Sequence, residues 1–166
     1  MQHTLSVLVE DKAGVLARVS SLLARRGFNI HSLAVGPTAE AGMSRMTIVV
    51  EAPELEQVKK QLHKLINVVK ITELDRERSV EREIMLVRIS TTSGARSDVL
   101  EIGAIFKATV IDVGQSSITF QVTGTPAKLS DFFELVRAYG VIDMAKSGRI
   151  ALSRENKARK LKAVGQ

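Results

Sequence analysis

One hydrophobic pattern runs through this chain twice, in the same order and on either side of a charge-dense break, so the fold must be built from two copies of one small unit. In the first copy, Leu5 to Val9 alternates at the period of a half-buried strand, and Glu10-Asp11-Lys12-Ala13-Gly14 reads as a turn. Val15, Leu16, Val19, Leu22 and Leu23 then fall on one stripe of a helix. Arg25-Arg26-Gly27 ends it with cations suited to the C-terminal dipole and a terminating glycine. Asn29 to Gly36 and Met43 to Val50 read as antiparallel strands joined by a hairpin loop over Pro37 to Gly42. Pro53 is expected as a first helical residue. Leu55, Val58, Leu62, Leu65 and Ile66 give a second apolar stripe, and Val68 to Leu74 a closing strand.

Residues 76–83 hold Arg76, Glu77, Arg78, Glu81, Arg82 and Glu83 and little to bury, so they read as a charged linker between domains at 1–75 and 84–152. The pattern then restarts. Ile84 to Ile89 suggests a strand, Asp98 to Phe106 a helix, Ala108 to Val113 and Ile118 to Thr123 a hairpin about Gly114, and Val141 to Lys146 a final strand. Before that strand, Thr125-Pro126 supplies an N-cap and a first helical residue, with Leu129, Phe132, Phe133 and Val136 as the buried face. Two βαββαβ units with helices on one side of an antiparallel sheet form an α+β protein of tandem ferredoxin-like architecture. Each sheet keeps one open face. Pairing with another copy is the expected cover, next to the turn between the first strand and first helix.

The 166 residues include no cysteine, which excludes disulfides, thiol nucleophiles and cysteine-rich metal sites and agrees with a cytoplasmic setting. Aromatic residues make up 4% and tryptophan is absent, so each core is small and aliphatic, which again favours oligomers. Met1-Gln2-His3-Thr4-Leu5 has no basic region ahead of an apolar one, and no stretch reaches membrane-spanning length, so neither export nor insertion is expected. The net charge of +6 resides mostly in residues 153–166, where Arg154, Lys157, Arg159, Lys160 and Lys162 face Glu155 alone. This basic tail reads as solvated or partner-binding, not as a nucleic-acid face. His3, His31 and His63 match no metal-ligand spacing, and no GxSxG, Walker-type or GxGxxG loop occurs, so neither a metal site nor a catalytic nucleophile is nominated.

The most informative stretch is Leu8-Val9-Glu10-Asp11-Lys12-Ala13-Gly14-Val15-Leu16, answered by Arg26-Gly27-Phe28-Asn29-Ile30. An acidic or amide residue, a glycine and an apolar pair between strand and helix, followed by G-[FY]-N-I, resembles the ACT domain family. Ser44-Arg45-Met46-Thr47 and Val80-Glu81-Arg82-Glu83-Ile84-Met85-Leu86 resemble the regulatory subunits of acetohydroxyacid synthase (acetolactate synthase) in particular. The resemblance implies a homodimer that docks onto a large catalytic subunit, raises its activity and renders it sensitive to valine bound at the ACT dimer interface. Thiamine diphosphate, magnesium and FAD are then expected on the catalytic subunit and none on this chain.

The physics of the turn agrees. The first amides of a helix lack internal partners and carry the positive dipole end, so an α-carboxylate suits the N–H groups of Gly14, Val15 and Leu16. Asp11 and the Asn29 side-chain oxygen suit an ammonium, and Ile30, Leu33 and Val35 can wall a branched side chain. The same residues also allow a plainer reading, in which Gly14 shapes a turn, Asp11 caps the helix and Asn29 satisfies a strand end. Arg45 is either an exposed strand residue or a subunit contact. A stand-alone ACT-domain amino-acid-responsive regulator of transcription is the alternative function, with the basic tail on nucleic acid. In the second unit, Thr92-Ser93-Gly94-Ala95-Arg96-Ser97-Asp98 departs from the first turn, so no equivalent effector site is expected there.

Overall fold

The computed structural model describes residues 2–92 and 94–155. Most of the basic tail, Lys157 to Lys162 included, lies outside the described residues. The first unit comprises β1 (Gln2–Glu10), α1 (Val15–Arg25), β2 (Asn29–Pro37), β3 (Met43–Glu51), α2 (Leu55–Leu62) and β4 (Val68–Leu74). The second comprises β5 (Ser79–Ser90), α3 (Arg96–Ile105), β6 (Thr109–Val113), β7 (Ser117–Gly124), α4 (Pro126–Val136) and β8 (Val141–Lys146), followed by a short β9 (Ile150–Ser153). The sheets run β2-β3-β1-β4 and β6-β7-β5-β8, so the tandem ferredoxin-like architecture expected from the repeat is the one observed.

Each unit has its own core. Leu5, Val7 and Val9 of β1 and Met46, Ile48 and Val50 of β3 meet Val15, Val19 and Leu23 of α1 and Val58 and Leu62 of α2. In the second unit Met85, Val87 and Ile89 meet Ile118, Phe120, Val122, Val99, Leu129, Phe132 and Val136. Thr125 accepts from the Lys128 amide as the N-cap of α4 with Pro126 first in the helix, as the sequence indicates. Two details differ in the first unit. Pro53 lies outside α2, whose N-cap is Glu54, and the helix stops at Leu62, so Ile66 falls in the following turn at 91% exposure instead of on a buried stripe.

The larger difference concerns residues 76–83. Ser79 to Glu83 is not linker but the first half of β5, in which Ser79, Glu81, Glu83, Met85, Val87 and Ile89 alternate inward without a break. Its partner is β9, with Ser79 opposite Ser153 and Arg82 opposite Ile150, so the start of the expected tail is strand as well. Arg154 extends the pairing by donating its backbone amide to the Arg78 carbonyl at 2.7 Å. This two-stranded extension lies on the open face of the first sheet and covers it from within the chain. Thr4, Ser6, Thr47, Val49 and Leu74, all on that face, are buried. β2 remains as an edge strand of the first sheet.

Candidate functional site

β1 ends at Glu10, and the turn that follows is tied to the β2–β3 hairpin by the Asp11 amide, which donates to the Gly42 carbonyl at 2.8 Å. Lys12 then accepts from the Val15 amide at 3.3 Å, closing the loop onto the start of α1. Gly14 is the N-cap, with φ 82° and ψ −5°. That left-handed conformation, and not crowding, calls for glycine, because a Cβ there would meet nothing within 4 Å. The helix has no acidic residue in its first turn and no side-chain cap, so Asp11 does not cap it. Of the three expected donors, Val15 is engaged by Lys12, while the amides of Gly14 and Leu16 have no acceptor among the described residues. The result is an open, positively polarised helix end beside the exposed Asp11.

A polar network that sequence reasoning missed fixes this turn from below. Asn67, 7% exposed, accepts from Arg18 Nη1 at 2.8 Å and donates Nδ2 to Glu10 Oε2 at 2.6 Å, while its carbonyl accepts the Glu10 amide at 3.0 Å. Lys12 Nζ lies 3.0 Å from the same Glu10 oxygen. The Asn67 hydrogen bond and then the Lys12 ammonium hold the Glu10 carboxyl below its ordinary range. Stabilisation by Glu10 is thus complete above the usual carboxylate range and is lost as pH falls through the depressed value. Asn67→Ala is expected to move the Glu10 titration upward in carboxyl-detected NMR and to lower the urea midpoint, the lost Arg18 bond being of the order of 1 kcal/mol. An unmoved Glu10 titration would show that Asn67 does not organise the turn.

The remaining expected site residues are not all brought together. Val15 and Ile30 pack in or against the core, as does Leu33, whereas Leu16 is exposed at the helix start. Asn29 pairs with Glu51 at one end of the sheet, while Pro37 and Met43 mark the other, where Asp11 and Gly14 lie. Eight strand residues, about 27 Å, separate them. No single chain places Asn29 beside Gly14. Arg45 lies on the open sheet face and lines a groove of about 370 Å³ with Val35, Val80, Arg82, Ile150 and Leu152.

The matching turn of the second unit is filled by its own chain. Arg96, first in α3, donates Nη2 to the carbonyls of Gly114 and Gln115, each at 2.9 Å. His31 and His3 sit beside Glu51 and Glu73 at 3.0 and 3.5 Å, as strand-end pairs. Among the described residues no group of three or more His, Asp or Glu is placed to hold a metal ion, and no helix is long and apolar enough to cross a membrane.

Comparison with known proteins covers both units. Residues 5–70 match the AHAS small subunit-like ACT domain family, and residues 82–155 match the family described as small subunit of acetolactate synthase. The acetolactate synthase small subunit of Mycolicibacterium smegmatis is 52% identical over 154 residues, 92% of this chain and 91% of the relative. The probable acetolactate synthase small subunit of Archaeoglobus fulgidus is 48% identical over 159 residues, 95% of this chain and 99% of the relative. The crystal structure of the acetolactate synthase small subunit from Thermotoga maritima superposes with a TM-score of 0.88 at 36% identity, over 94% of this chain and 99% of that one. A correspondence running through both units does not favour a stand-alone regulator of transcription. The chain belongs to the acetolactate synthase small-subunit family, as a non-catalytic regulatory subunit.

Proposed function

We propose that this chain binds valine at a site shared by two copies, and that it docks onto the large catalytic subunit of acetolactate synthase, activating it and making it valine-sensitive. The observation that carries this reading is the separation of Asn29 from Asp11 and Gly14 along an edge strand. Antiparallel pairing of β2 with its own copy about a twofold axis lays the partner subunit's Asn29 beside Pro37, at the end where Gly14 opens α1. The two halves of the binding chemistry then meet. The Gly14 and Leu16 amides take the carboxylate, and Asp11 with the partner subunit's Asn29 takes the ammonium.

Thiamine diphosphate, magnesium and FAD belong to the catalytic subunit in this reading, which places both chains in the cytoplasm. Inhibition is linkage: valine binds the low-activity arrangement better, with a coupling of about 1–3 kcal/mol, roughly 5- to 150-fold. Titration calorimetry with valine, leucine and isoleucine, on the wild type and Gly14→Asp, tests it together with activity assays of the assembled enzyme. Saturable valine binding is expected, weakened about tenfold or more in the variant, which sets a carboxylate against the ligand's own in a backbone conformation unfavourable to aspartate. Absence of binding to any of the three, with an assembled enzyme indifferent to valine, would sink the reading.

A further inference from the structure

Where the second unit meets the first, two buried carboxylates of β5 meet the partly exposed cations Lys146 and Arg149, at the end of β8 and in the turn before β9. Glu81 and Glu83 of β5 are 8% and 4% exposed. Arg149 reaches both, with Nε 3.2 Å from Glu83 Oε1 and Nη1 3.5 Å from Glu81 Oε2, and Lys146 Nζ lies 3.0 Å from Glu83 Oε2. Two carboxylates and two cations balance. The cluster also holds the first sheet through hydroxyls. Thr4 of β1 donates to Glu81 at 3.4 Å and accepts from Arg149 Nη1 at 3.5 Å, and Ser32 of β2 accepts the Arg149 backbone amide at 2.7 Å. One residue therefore ties β1, β2 and β5 together.

Its grip on β2 falls at a yielding place. The pairing of β2 with β3 shifts register between Ile30 and Ser32, so Ser32 follows directly on a bulge, three residues from Asn29. Glu81 and Glu83 tolerate little displacement from Arg149, because a buried carboxylate that loses its cation is disfavoured.

We propose that Arg149 is a positioning residue that transmits effector occupancy: a ligand drawing on Asn29 shifts β2 at its bulge, and Arg149 passes that shift to the second unit. This rests on the effector reading above, so the test uses readouts that separate the two. Arg149→Met is prepared as the full chain, free and assembled with the catalytic subunit. Valine calorimetry is expected to change by less than about threefold, while the extent of inhibition at saturating valine falls about threefold or more, a coupling loss without a binding loss. Arg149→Lys, which retains the charge, is expected to restore part of the inhibition.

Hydrogen exchange is measured on the same proteins without valine. The amides of Ser32 to Ala34 are expected to exchange about tenfold faster in Arg149→Met, whatever the effector proves to be. Unchanged exchange overturns the proposal even if the wild type never responds to valine. Equal losses of binding and inhibition overturn it too, since Arg149 would then only maintain the site. Should the single variant fail to fold, Glu81→Gln with Arg149→Met removes the stranded charge and the same readouts apply.

Discussion

Gly148→Ala is expected to lift the β8–β9 turn off the first sheet and to cost about 3 kcal/mol or more, while leaving both cores folded. The backbone of Gly148 is outside the left-handed region, so conformation does not demand glycine there; space does. A Cβ would run into the carbonyl carbon and oxygen of Leu33 and would stand 2.9 Å from the Ala34 amide nitrogen. All three are backbone atoms of a paired strand and cannot swing aside. Gly124 is a useful contrast, because there an added Cβ meets Lys128 side-chain carbons, the nearest at 2.5 Å, which have rotamers to escape into. The whole turn must therefore move, and Arg149, the next residue, loses its contacts with Glu81, Glu83 and Ser32 together. Overpacking typically costs about 1–3 kcal/mol, and a buried carboxylate deprived of its cation more. In urea titration the variant is expected to unfold earlier and with weakened coupling between its halves, with proteolytic cleavage appearing between Leu74 and Ser79. A midpoint indistinguishable from wild type would mean that the turn has another place to sit.

The helices and the repeated strand order were readable because their apolar residues obey local periods. Val15, Val19 and Leu23 are spaced for one helical face, and Met85, Val87 and Ile89 for one sheet face, with no distant residue needed to interpret them. Glu81 and Glu83 obey the same strand period as Met85, yet they read as linker because burial of a carboxylate makes sense only once its cation is known. Those cations, Arg149 and Lys146, come more than sixty residues later. The candidate site divides likewise. The glycine turn was legible from Asp11 to Leu16, whereas Asn67 looks like any turn residue until Glu10 and Arg18 converge on it. Asn29 was the harder case, since its place opposite Glu51 follows from strand order, and strand order puts it at the far end from Gly14.

Phe132→Ala is expected to destabilise the second unit by about 3–5 kcal/mol, the range for truncating a fully buried phenylalanine. Phe132 is 0% exposed, and two other rings meet it edge to face: Phe106 at 5.4 Å with a 63° interplanar angle, and Phe120 at 5.9 Å with 73°. Such pairs are worth about 0.5–1.5 kcal/mol beyond the area they bury. The site has little means of collapse. Phe120 is held in β7 between β6 and β5, and Gly103 of α3 already lies so close that a Cβ there would be 2.5 Å from its ring. The chain supplies its own local probe, because Tyr139 is the sole tyrosine, tryptophan is absent, and Tyr139 packs against this second core. Tyrosine fluorescence therefore reports the second unit, while far-ultraviolet circular dichroism reports both. The fluorescence midpoint in urea is expected to fall by the full amount. The dichroism should follow in part and then wait for the first unit, whose face over Thr4, Val49 and Leu74 has lost its cover but whose own aliphatic core is unaltered. Coincident transitions by both probes would instead mean that β5, through Glu81 and Glu83, makes the two units a single cooperative block.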